Sequence, residues 1–460
     1  MQRGISTITV PIFTRLLTSS EYGQISVYNS WQGIVSVFVS LNLTAGVYMR
    51  GLVAYEEKRK EFISSMQALC FTLIACWFGV YLVFSEFWNG LFKLTTPLML
   101  LMFAEIWIAS VFGFWAAEQR VDYHYKKLVV LTLTMSVLTP CLGVYLVINS
   151  DDKVFARIFS GVILHLLCYV WFFFSQLKRG KTFFSKEFWK YALSFNLPLI
   201  PHYLSMIILS SSDRIMIANM VDNRSAGIYN LAYAVSMVLT MFNGALMSTV
   251  EPWLYKKLKA NDLEPLPKIA YPTFALIAGI NIGLIAFAPE IISFFAPKEY
   301  YEAIWIVPPV AMSVYFMFSY SYFAVFEFYY KKTGYIATAT MVGAVLNIIL
   351  NYVFIRKYGY YAAGYTTLVC YIAYGVAHYC FMRKICRENL GGARVYSLRT
   401  LLSITAVFMA IGFVFLFVYG NNAYRYSLIA LFAIITMVYS KEVKNSVLNL
   451  VKIKQDNKHN

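Results

Sequence analysis

Several ionisable side chains interrupt long apolar stretches of this sequence, and they determine what chemistry the chain can perform. Glu105 lies near the middle of one stretch, and Asp213 directly precedes Arg214 in another. Ionisable groups are costly in an apolar environment, so they usually pair, face a polar interior or contact a ligand. These residue types suit the binding of protons, small cations and anions.

Four arginines are candidates for holding an anionic group, because the planar guanidinium fork presents donors that match the oxygens of a phosphate. They are Arg15, Arg50, Arg157 and Arg214. For Arg50 the alternative is a topology-setting charge at the inner end of its apolar stretch. Arg15 and Arg214 occupy corresponding places in two halves of the chain, and for both a ligand contact and a structural role stay open.

The carboxylates and one histidine are candidates for ion coupling or gating. Glu105 is either a neutral, hydrogen-bonded carboxyl or a protonation or Na⁺ site whose charge biases two transport states. Asp213 is either such a group or part of a cap or static ion pair at a helix end. His202 is either a polar core residue or a proton relay. Glu327 either pairs with Lys331, four residues further along, or takes part in the transport path, and we expect the pairing.

Two prolines close together predict a break in one apolar helix. Pro198 and Pro201 each remove an amide donor, which frees backbone carbonyls at the break. The sequence has no nucleophile and base pair, Gly-rich phosphate loop or metal-ligand constellation at useful spacing, and its seven cysteines form no CxxC motif. We therefore expect no catalytic centre, no metal site and no cofactor beyond a possible H⁺ or Na⁺ coupling ion.

Composition determines the class of protein that positions these residues. Hydrophobic residues make up 59% of the chain and charged residues only 13%, against about 25% charged in soluble domains. Apolar runs of about 20 residues, the length that crosses a bilayer, recur along the chain. We predict an all-α polytopic membrane protein with about fourteen spans. They lie near 4–18, 24–48, 62–84, 94–117, 128–148, 154–174, 191–218, 225–249, 269–294, 303–330, 335–355, 361–382, 399–419 and 425–440.

The net charge of +16 follows from the topology. Lys and Arg cluster in alternate connections, as in loops that stay in the cytoplasm, and form no continuous basic helix of the kind that binds nucleic acid. This pattern predicts cytoplasmic N- and C-termini and no nucleic-acid partner. The first span is short for a bilayer, so we expect residues upstream of Met1.

A faint internal repeat predicts the arrangement of the spans. Residues 15–23 resemble 214–216 followed by 225–229, each with an Arg, a turn containing Gly and a new span. An offset of six spans gives parallel halves. We predict an N-terminal lobe (1–174, spans 1–6), a basic cytoplasmic linker (175–190), a C-terminal lobe (191–382, spans 7–12), two additional spans (399–440) and a basic tail (441–460). A central cavity would lie between the lobes.

Four sequence blocks resemble a known family of transporters. They are residues 13–23 (FTRLLTSSEYG), 191–201 (YALSFNLPLIP) with 213–216 (DRIM), 227–229 (GIY), and 346–359 (LNIILNYVFIRKYG) followed by 362–364 (AAG). In this order and spacing they resemble the polysaccharide-transporter family. This family contains the Wzx-type O-antigen and capsule repeat-unit flippases, within the multidrug/oligosaccharidyl-lipid/polysaccharide exporter superfamily.

The resemblance implies a flippase of the bacterial inner membrane. Its ligand would be an undecaprenyl-diphosphate-linked oligosaccharide, carried from the cytoplasmic to the periplasmic leaflet for O-antigen, lipopolysaccharide, capsule or exopolysaccharide synthesis. Membrane lipid would surround the polyprenyl tail, and a polysaccharide polymerase and a chain-length regulator are possible partners.

Other functions stay open at this point. A cation-coupled multidrug or metabolite exporter, or an exporter of peptidoglycan precursor or teichuronic-type polymer, would share the fold. A polymerase or ligase is disfavoured because the predicted connections contain no large external loop.

Overall fold

The computed structural model describes the backbone of residues 2–438, and the side chains of residues 8–435, 437 and 438. All regular elements within this part of the chain are helical. Two 3₁₀ segments, Leu197–Leu199 and Lys298–Trp305, interrupt the α-helices. The α-helices are α1 (Gln2–Leu16), α2 (Ser19–Ser40), α3 (Val47–Ala54), α4 (Arg59–Val83), α5 (Ser85–Phe92), α6 (Thr96–Val121), α7 (Tyr125–Ile148), α8 (Lys153–Gly180), α9 (Lys186–Asn196), α10 (Ile200–Met220), α11 (Asn223–Met237), α12 (Leu239–Lys259), α13 (Pro265–Ala286), α14 (Ala288–Phe295), α15 (Val307–Tyr329), α16 (Thr333–Tyr358), α17 (Ala362–Asn389), α18 (Leu398–Val418) and α19 (Asn422–Val438).

The prediction of an all-α polytopic membrane protein is confirmed. Ten helical stretches of the described chain are long and apolar enough to cross a membrane. Every predicted span coincides with one or two of the helices. The last two residues of the predicted span 425–440, residues 439 and 440, lie outside the described residues. The count of fourteen stays a prediction, because α1, α2, α17 and α19 are not among the ten.

The helices begin where the sequence supplies capping groups. At the start of α2 the amide of Glu21 donates to the hydroxyl of Thr18 over 3.2 Å, and the Thr18 amide donates to the Glu21 carboxylate over 2.7 Å. At the start of α8 the Phe155 amide donates to Asp152 over 2.9 Å. These bonds satisfy amides that the helix itself leaves without partners, so each span starts at a defined residue.

Within the described residues the chain forms two compact units, which divide between Gly227 and Ile228. In the first unit, α2 packs along α10, and α4, α6, α7 and α8 pack side by side. Aromatic rings fill the centre of this unit: Tyr48 packs against Phe62 and Phe114 with ring centroids 5.8 and 4.6 Å apart. The amide of Asn196, at the end of α9, donates to the carbonyl of Leu41 over 2.8 Å and anchors the α9–α10 break beside α2.

The second unit is built around α15. This helix packs against α12, α13, α16, α17 and α18, and most of its residues are buried, including the carboxylate of Glu327. An α-helix that is enclosed on all sides carries apolar residues around its whole circumference, which accounts for the nine aromatic residues of α15 from Tyr315 to Tyr329.

Candidate functional site

The first unit holds a polar cluster around Glu105, in the middle of α6. The Tyr28 hydroxyl of α2 donates to the Glu105 carboxylate over 3.3 Å, and the Gln32 side chain lies one turn further along α2, also in hydrogen-bond contact with Glu105. The charge of Arg157 on α8 acts on the same carboxylate. The structure thus brings together two residues that the sequence singled out, Glu105 and Arg157, and adds two partners that it did not indicate.

Arg157 is partly buried and stacks on an aromatic ring. Its guanidinium carbon lies 4.2 Å from the centroid of Phe13 on α1. Such a contact stabilises a cation by about 1 kcal/mol or more when the pair is shielded from water. The cluster therefore combines a carboxyl group, a guanidinium group and neutral hydrogen-bonding side chains on three helices, with an aromatic ring from a fourth.

Two cavities lie in the same unit and share a wall. The first, of about 300 Å³, is lined almost wholly by apolar groups. The second, of about 410 Å³, has polar side chains along one side. Trp31 and Phe92, whose ring centroids are 4.6 Å apart, line both. The apolar lining includes Phe38, Trp77, Tyr81, Trp88, Met99 and Phe103, and the polar lining includes Gln24, Lys93, Thr95, Asn219, Asp222 and Asn223.

The other candidate arginines lie on α1, α3 and α10. Arg15 is exposed and donates to the Pro11 carbonyl over 2.7 Å. Arg50, on α3, is exposed and lies 4.9 Å from the ring centroid of Phe195. Arg214 is buried and donates to the Ser210 carbonyl.

Four further candidates lie on the α9–α10 segment. Asp213 is fully buried beside Arg214. His202 is partly buried, and its Nδ1 has no hydrogen-bond partner among the described residues. Pro198 lies in the 3₁₀ segment Leu197–Leu199, and Pro201 lies in the first turn of α10. The chain therefore changes from one α-helix to another at the position of the two prolines.

The expected pairing of Glu327 with Lys331 is wrong. Glu327 is fully buried, and its Oε1 lies 2.6 Å from Nδ1 of His378 on α17, which is also fully buried. The i,i+4 rule describes exposed helix faces, whereas this turn of α15 points into the unit. His378 carried no signal in the sequence beyond being a histidine inside an apolar span.

A second network was missed because its charges lie at the predicted span edges. Glu118 of α6 accepts two hydrogen bonds from Arg179 of α8, over 2.9 and 3.1 Å, and one from Gln176 over 2.7 Å. Gln67 of α4 donates to Gln176 over 2.6 Å. Arg179 lies in the basic linker, where its charge was assigned to topology alone.

An ion pair in the second unit, between Arg425 and Glu290, links α19 to α14. Arg425 is buried and donates to both carboxylate oxygens of Glu290, and Tyr426 donates to the same carboxylate over 2.6 Å. Partial burial of Glu290 opposes its ionisation, but the hydrogen bonds from Arg425 and Tyr426 hold its pKa below the usual value. This pair fastens α19 to α14.

Comparison with known proteins places the chain among polysaccharide-related membrane proteins. The sequence profile of the family described as "Polysaccharide biosynthesis protein" matches residues 1–257. The "Lsg locus putative protein 1" of Haemophilus influenzae is 25% identical over 370 residues, which cover 74% of this chain and 84% of that protein. The "Probable low-salt glycan biosynthesis flippase Agl15" of Haloferax volcanii is 21% identical over 398 residues, covering 82% and 79%.

Solved structures show the same fold at low sequence identity. The structure described as "Lipid II flippase MurJ, inward closed conformation" superposes with a TM-score of 0.65 at 16% identity, over 93% of this chain and 98% of that one. An inward-facing multidrug resistance transporter of the MATE family superposes with a TM-score of 0.64 at 14% identity, over 85% and 96%. The chain therefore shares its fold with both of these structures.

Proposed function

The chain belongs to the polysaccharide biosynthesis protein family, and we propose that it is a flippase for undecaprenyl-diphosphate-linked oligosaccharide repeat units. It would carry them from the cytoplasmic to the periplasmic leaflet of a bacterial inner membrane by alternating access. The products would serve O-antigen, lipopolysaccharide, capsule or exopolysaccharide synthesis. The name of the Haloferax relative and the fold shared with the lipid II flippase support transport of a lipid-linked glycan.

The observation that carries this proposal is the pair of adjoining cavities. A lipid-linked glycan has a hydrated sugar and phosphate part and a hydrocarbon part, so its path must offer both environments. The polar cavity supplies amides, a hydroxyl and Lys93, and the apolar cavity supplies aromatic rings. Trp31 and Phe92 at the shared wall present faces on which a sugar ring packs.

Arg157 and Glu105 line neither cavity, and we propose that they add a charge-dependent step to transport. In the absence of ligand the positive charge of Arg157 acts on Glu105 and favours its ionised form. A diphosphate that enters near Arg157 competes with Glu105 for the guanidinium, because charged hydrogen bonds to phosphate are strong. Once Glu105 has lost the positive charge beside it, its protonated form becomes more favourable. Proton or Na⁺ uptake at Glu105 would thus accompany substrate binding.

The remaining candidates take proposed roles around this step. Arg15, Arg50 and Arg214 would contact the diphosphate at other stages, Asp213 and His202 would take part in ion coupling or gating, and Pro198 and Pro201 would allow α9 and α10 to bend. The protein would work as two six-span lobes, 1–174 and 191–382, joined by a basic cytoplasmic linker and followed by two further spans. Both termini would be cytoplasmic, and no cofactor other than a coupling ion would be required.

A deletion strain tests the proposal directly. Loss of the protein should leave lipid-linked repeat units in the cytoplasmic leaflet and abolish surface polymer, and the wild-type gene should restore both. Partners such as the polymerase would then receive no substrate. Normal surface polymer in the deletion strain would refute the proposal.

The Arg157→Gln variant tests the site in everted membrane vesicles that carry the lipid-linked substrate. Translocation should fall about ten- to a hundredfold, since a charged hydrogen bond contributes about 1.5–3 kcal/mol. Lys127→Gln is the matched control, because Lys127 is an exposed cation at the end of α7. Equal rates in the two variants, at equal abundance in the membrane, would remove Arg157 from the substrate path.

A multidrug or metabolite exporter is the second candidate, because the fold is shared with a multidrug transporter and Glu105 lies against the aromatic Tyr28. Export of a peptidoglycan precursor or a teichuronic-type polymer is related to it. Efflux of an organic cation from the same vesicles, without translocation of the lipid-linked glycan, would favour the exporter.

A further inference from the structure

The second unit contains a carboxylate and an imidazole that face each other inside the protein. Glu327 of α15 and His378 of α17 are both fully buried, and Oε1 of the carboxylate lies 2.6 Å from Nδ1 of the ring. A separation this short identifies a strong hydrogen bond with ionic character. Nothing in the proposed transport path uses these two residues.

Each member of the pair keeps one polar atom without a partner. Among the described residues, Oε2 of Glu327 and Nε2 of His378 have no hydrogen-bond partner. A buried polar atom left unsatisfied costs about 1–3 kcal/mol. The imidazole cannot avoid this cost by changing tautomer, because Nδ1 is engaged with Glu327 and Nε2 is then either a donor without an acceptor or an acceptor without a donor. The two atoms are therefore open positions for a proton.

Aromatic rings surround the imidazole. The ring centroids of Tyr374 and Tyr320 lie 4.6 and 5.5 Å from that of His378, and Phe381 lies at 6.1 Å. The hydroxyl of Tyr374 is hydrogen-bonded to Thr340 of α16 over 2.8 Å. Aromatic rings near an imidazolium stabilise its positive charge through the ring quadrupole. The surroundings therefore tolerate a net charge of +1 better than a net charge of −1.

The charged side chains at this end of α15 and α17 are engaged with other groups. Lys332 lies 3.6 Å from Glu388, and Lys384 lies over the ring of Tyr335 on α16. Other titratable or charged groups at this end of the neighbouring helices include Glu251, Tyr255, Lys256, Lys257 and Lys259 on α12, Lys268 and Tyr271 on α13, Lys331 after α15, Tyr379, Arg383, Cys386 and Arg387 on α17, and Arg399 on α18. Tyr255 donates to Glu251, Tyr271 accepts from the Ser397 amide, and Arg383 donates to the Ala393 carbonyl.

We propose that Glu327 and His378 form a proton-binding site that alternates between one bound proton and two. With one proton the pair is neutral, as a carboxylate with an imidazolium or as a carboxylic acid with an imidazole. The second proton binds at Oε2 of Glu327, while Nδ1 of His378 still donates to Oε1, and the pair then carries a charge of +1. The 2.6 Å bond persists in both states, and no electron transfer or further reactant is needed.

The proton is the ligand that fits this site best. Sodium and calcium ions require several oxygen ligands, and here the acidic group is a single carboxylate beside a nitrogen. No group of three or more His, Cys, Asp or Glu side chains in the described part of the chain is placed to hold a metal ion. The site lies about one turn from the end of α15, where the Lys332 amide donates to the Glu327 carbonyl over 2.8 Å. Protons would enter and leave at this basic end, which the proposed topology places in the cytoplasm.

Spectroscopic titration of the full-length protein tests the site without reference to transport. The protein in lipid nanodiscs is examined between pH 5 and 9 by infrared difference spectroscopy of carboxyl groups and by NMR of ¹⁵N-labelled histidine rings. The wild type should show a carboxyl band that changes with pH together with a shifted imidazole signal. Glu327→Gln and His378→Asn should each remove this band, and His165→Asn, a change at a partly buried histidine of α8, should retain it. A wild-type protein with no titrating carboxyl band, or with an unchanged band in Glu327→Gln, would overturn the proposal.

A flux measurement links the site to transport and rests on the proposed function. In proteoliposomes the ratio of the wild-type rates at pH 9 and pH 5, set on the side of the basic end, should differ from 1. In Glu327→Gln and His378→Asn this ratio should be about 1, and the double variant should show no further change. Folding is checked by the thermal midpoint, and Tyr374→Phe controls for altered packing, since it should keep the pH ratio. Variants that fold and keep the wild-type pH ratio would overturn the coupling of the site to transport. Absence of any glycan flux in the wild type would instead count against the proposed function, and the result of the spectroscopic titration would still hold.

Discussion

The closest approach between two helices in the first unit predicts a large effect of a single methyl group. Gly23 of α2 faces Gly227 of α11. A β-carbon added at Gly23 would lie 1.8 Å from the carbonyl oxygen of Asn223, and one added at Gly227 would lie 2.0 Å from the carbonyl oxygen of Ser19. The two backbones are therefore in direct contact. Small residues spaced four apart, here Ser19 and Gly23, permit such contacts between membrane helices.

The Gly23→Ala substitution forces these backbones apart. Real β-carbons essentially never approach another heavy atom closer than 3.0 Å, so the contact at 1.8 Å must open by 3.0 − 1.8 = 1.2 Å or more. The obstructing atom is backbone oxygen, which cannot rotate away as a side chain does. Overpacking of this kind costs about 1–3 kcal/mol. If the helices separate during transport, the same free energy shifts the population of closed and open states by about 5- to 150-fold.

Hydrogen exchange measured by mass spectrometry detects this opening. Amides at the start of α2 and α11 should exchange about 5- to 150-fold faster in Gly23→Ala and in Gly227→Ala than in the wild type, with both segments affected in each variant. Gly79→Ala is the matched control, because Gly79 lies inside α4 and a β-carbon there meets nothing within 4 Å. The free-energy cost of the double variant should be smaller than the sum of the costs of the two single variants, since one displacement of the helices relieves both clashes.

Two results would refute the reasoning. Exchange rates in Gly23→Ala equal to those in Gly79→Ala would show that the helices do not meet as described. Strict additivity in the double variant would show that the two glycines act independently and do not share one contact.

Two further predictions concern the ion pairs that hold each unit together. Glu118→Gln should lower the free energy of unfolding by about 1–3 kcal/mol, because Arg179 and Gln176 lose a charged acceptor, and thermal unfolding in detergent should show no such loss for the exposed Glu61→Gln. Arg425→Lys should lower the thermal midpoint at neutral pH, because Lys cannot make the two parallel hydrogen bonds to Glu290. Since the pKa of Glu290 is lowered in the folded protein, its contribution is present above the ordinary carboxyl pKa and is lost as the pH falls through the lowered value. The difference between wild type and Arg425→Lys should therefore shrink in acid, and a constant difference would contradict the assignment.

The helices were predictable because a bilayer imposes a length and a composition on each span. Residues 94–117 and 154–174 were assigned as spans from apolar character alone, and the structure forms helices at Thr96–Val121 and Lys153–Gly180. Boundaries differ where a helix continues past the apolar run into charged residues such as Arg120. Backbone groups inside hydrocarbon must form hydrogen bonds within their own segment, so each span can be predicted from its own residues.

The partners of the buried charges were not predictable from one sequence. Glu327 has a cation four residues away, yet its partner His378 lies 51 residues along the chain. Which neighbour pairs with the carboxylate depends on how α15 is rotated within its unit, and the apolar residues that surround the helix on all sides give no preferred face. The same holds for Glu105. Its place inside an apolar span was expected, but its partners Tyr28 and Gln32 lie on α2, and Tyr28 is 77 residues earlier in the chain.

The internal repeat carries more information than its faint similarity suggests. It was recognised from an Arg, a turn with Gly and a new span in residues 15–23 and 214–229. In the structure the glycines of the two copies, Gly23 and Gly227, contact one another, and the carbonyls of Ser19 and Asn223 occupy matching places on opposite sides of the contact. When two related segments meet symmetrically, each copy must leave room for the other. One steric condition therefore requires a glycine at both positions, Gly23 and Gly227.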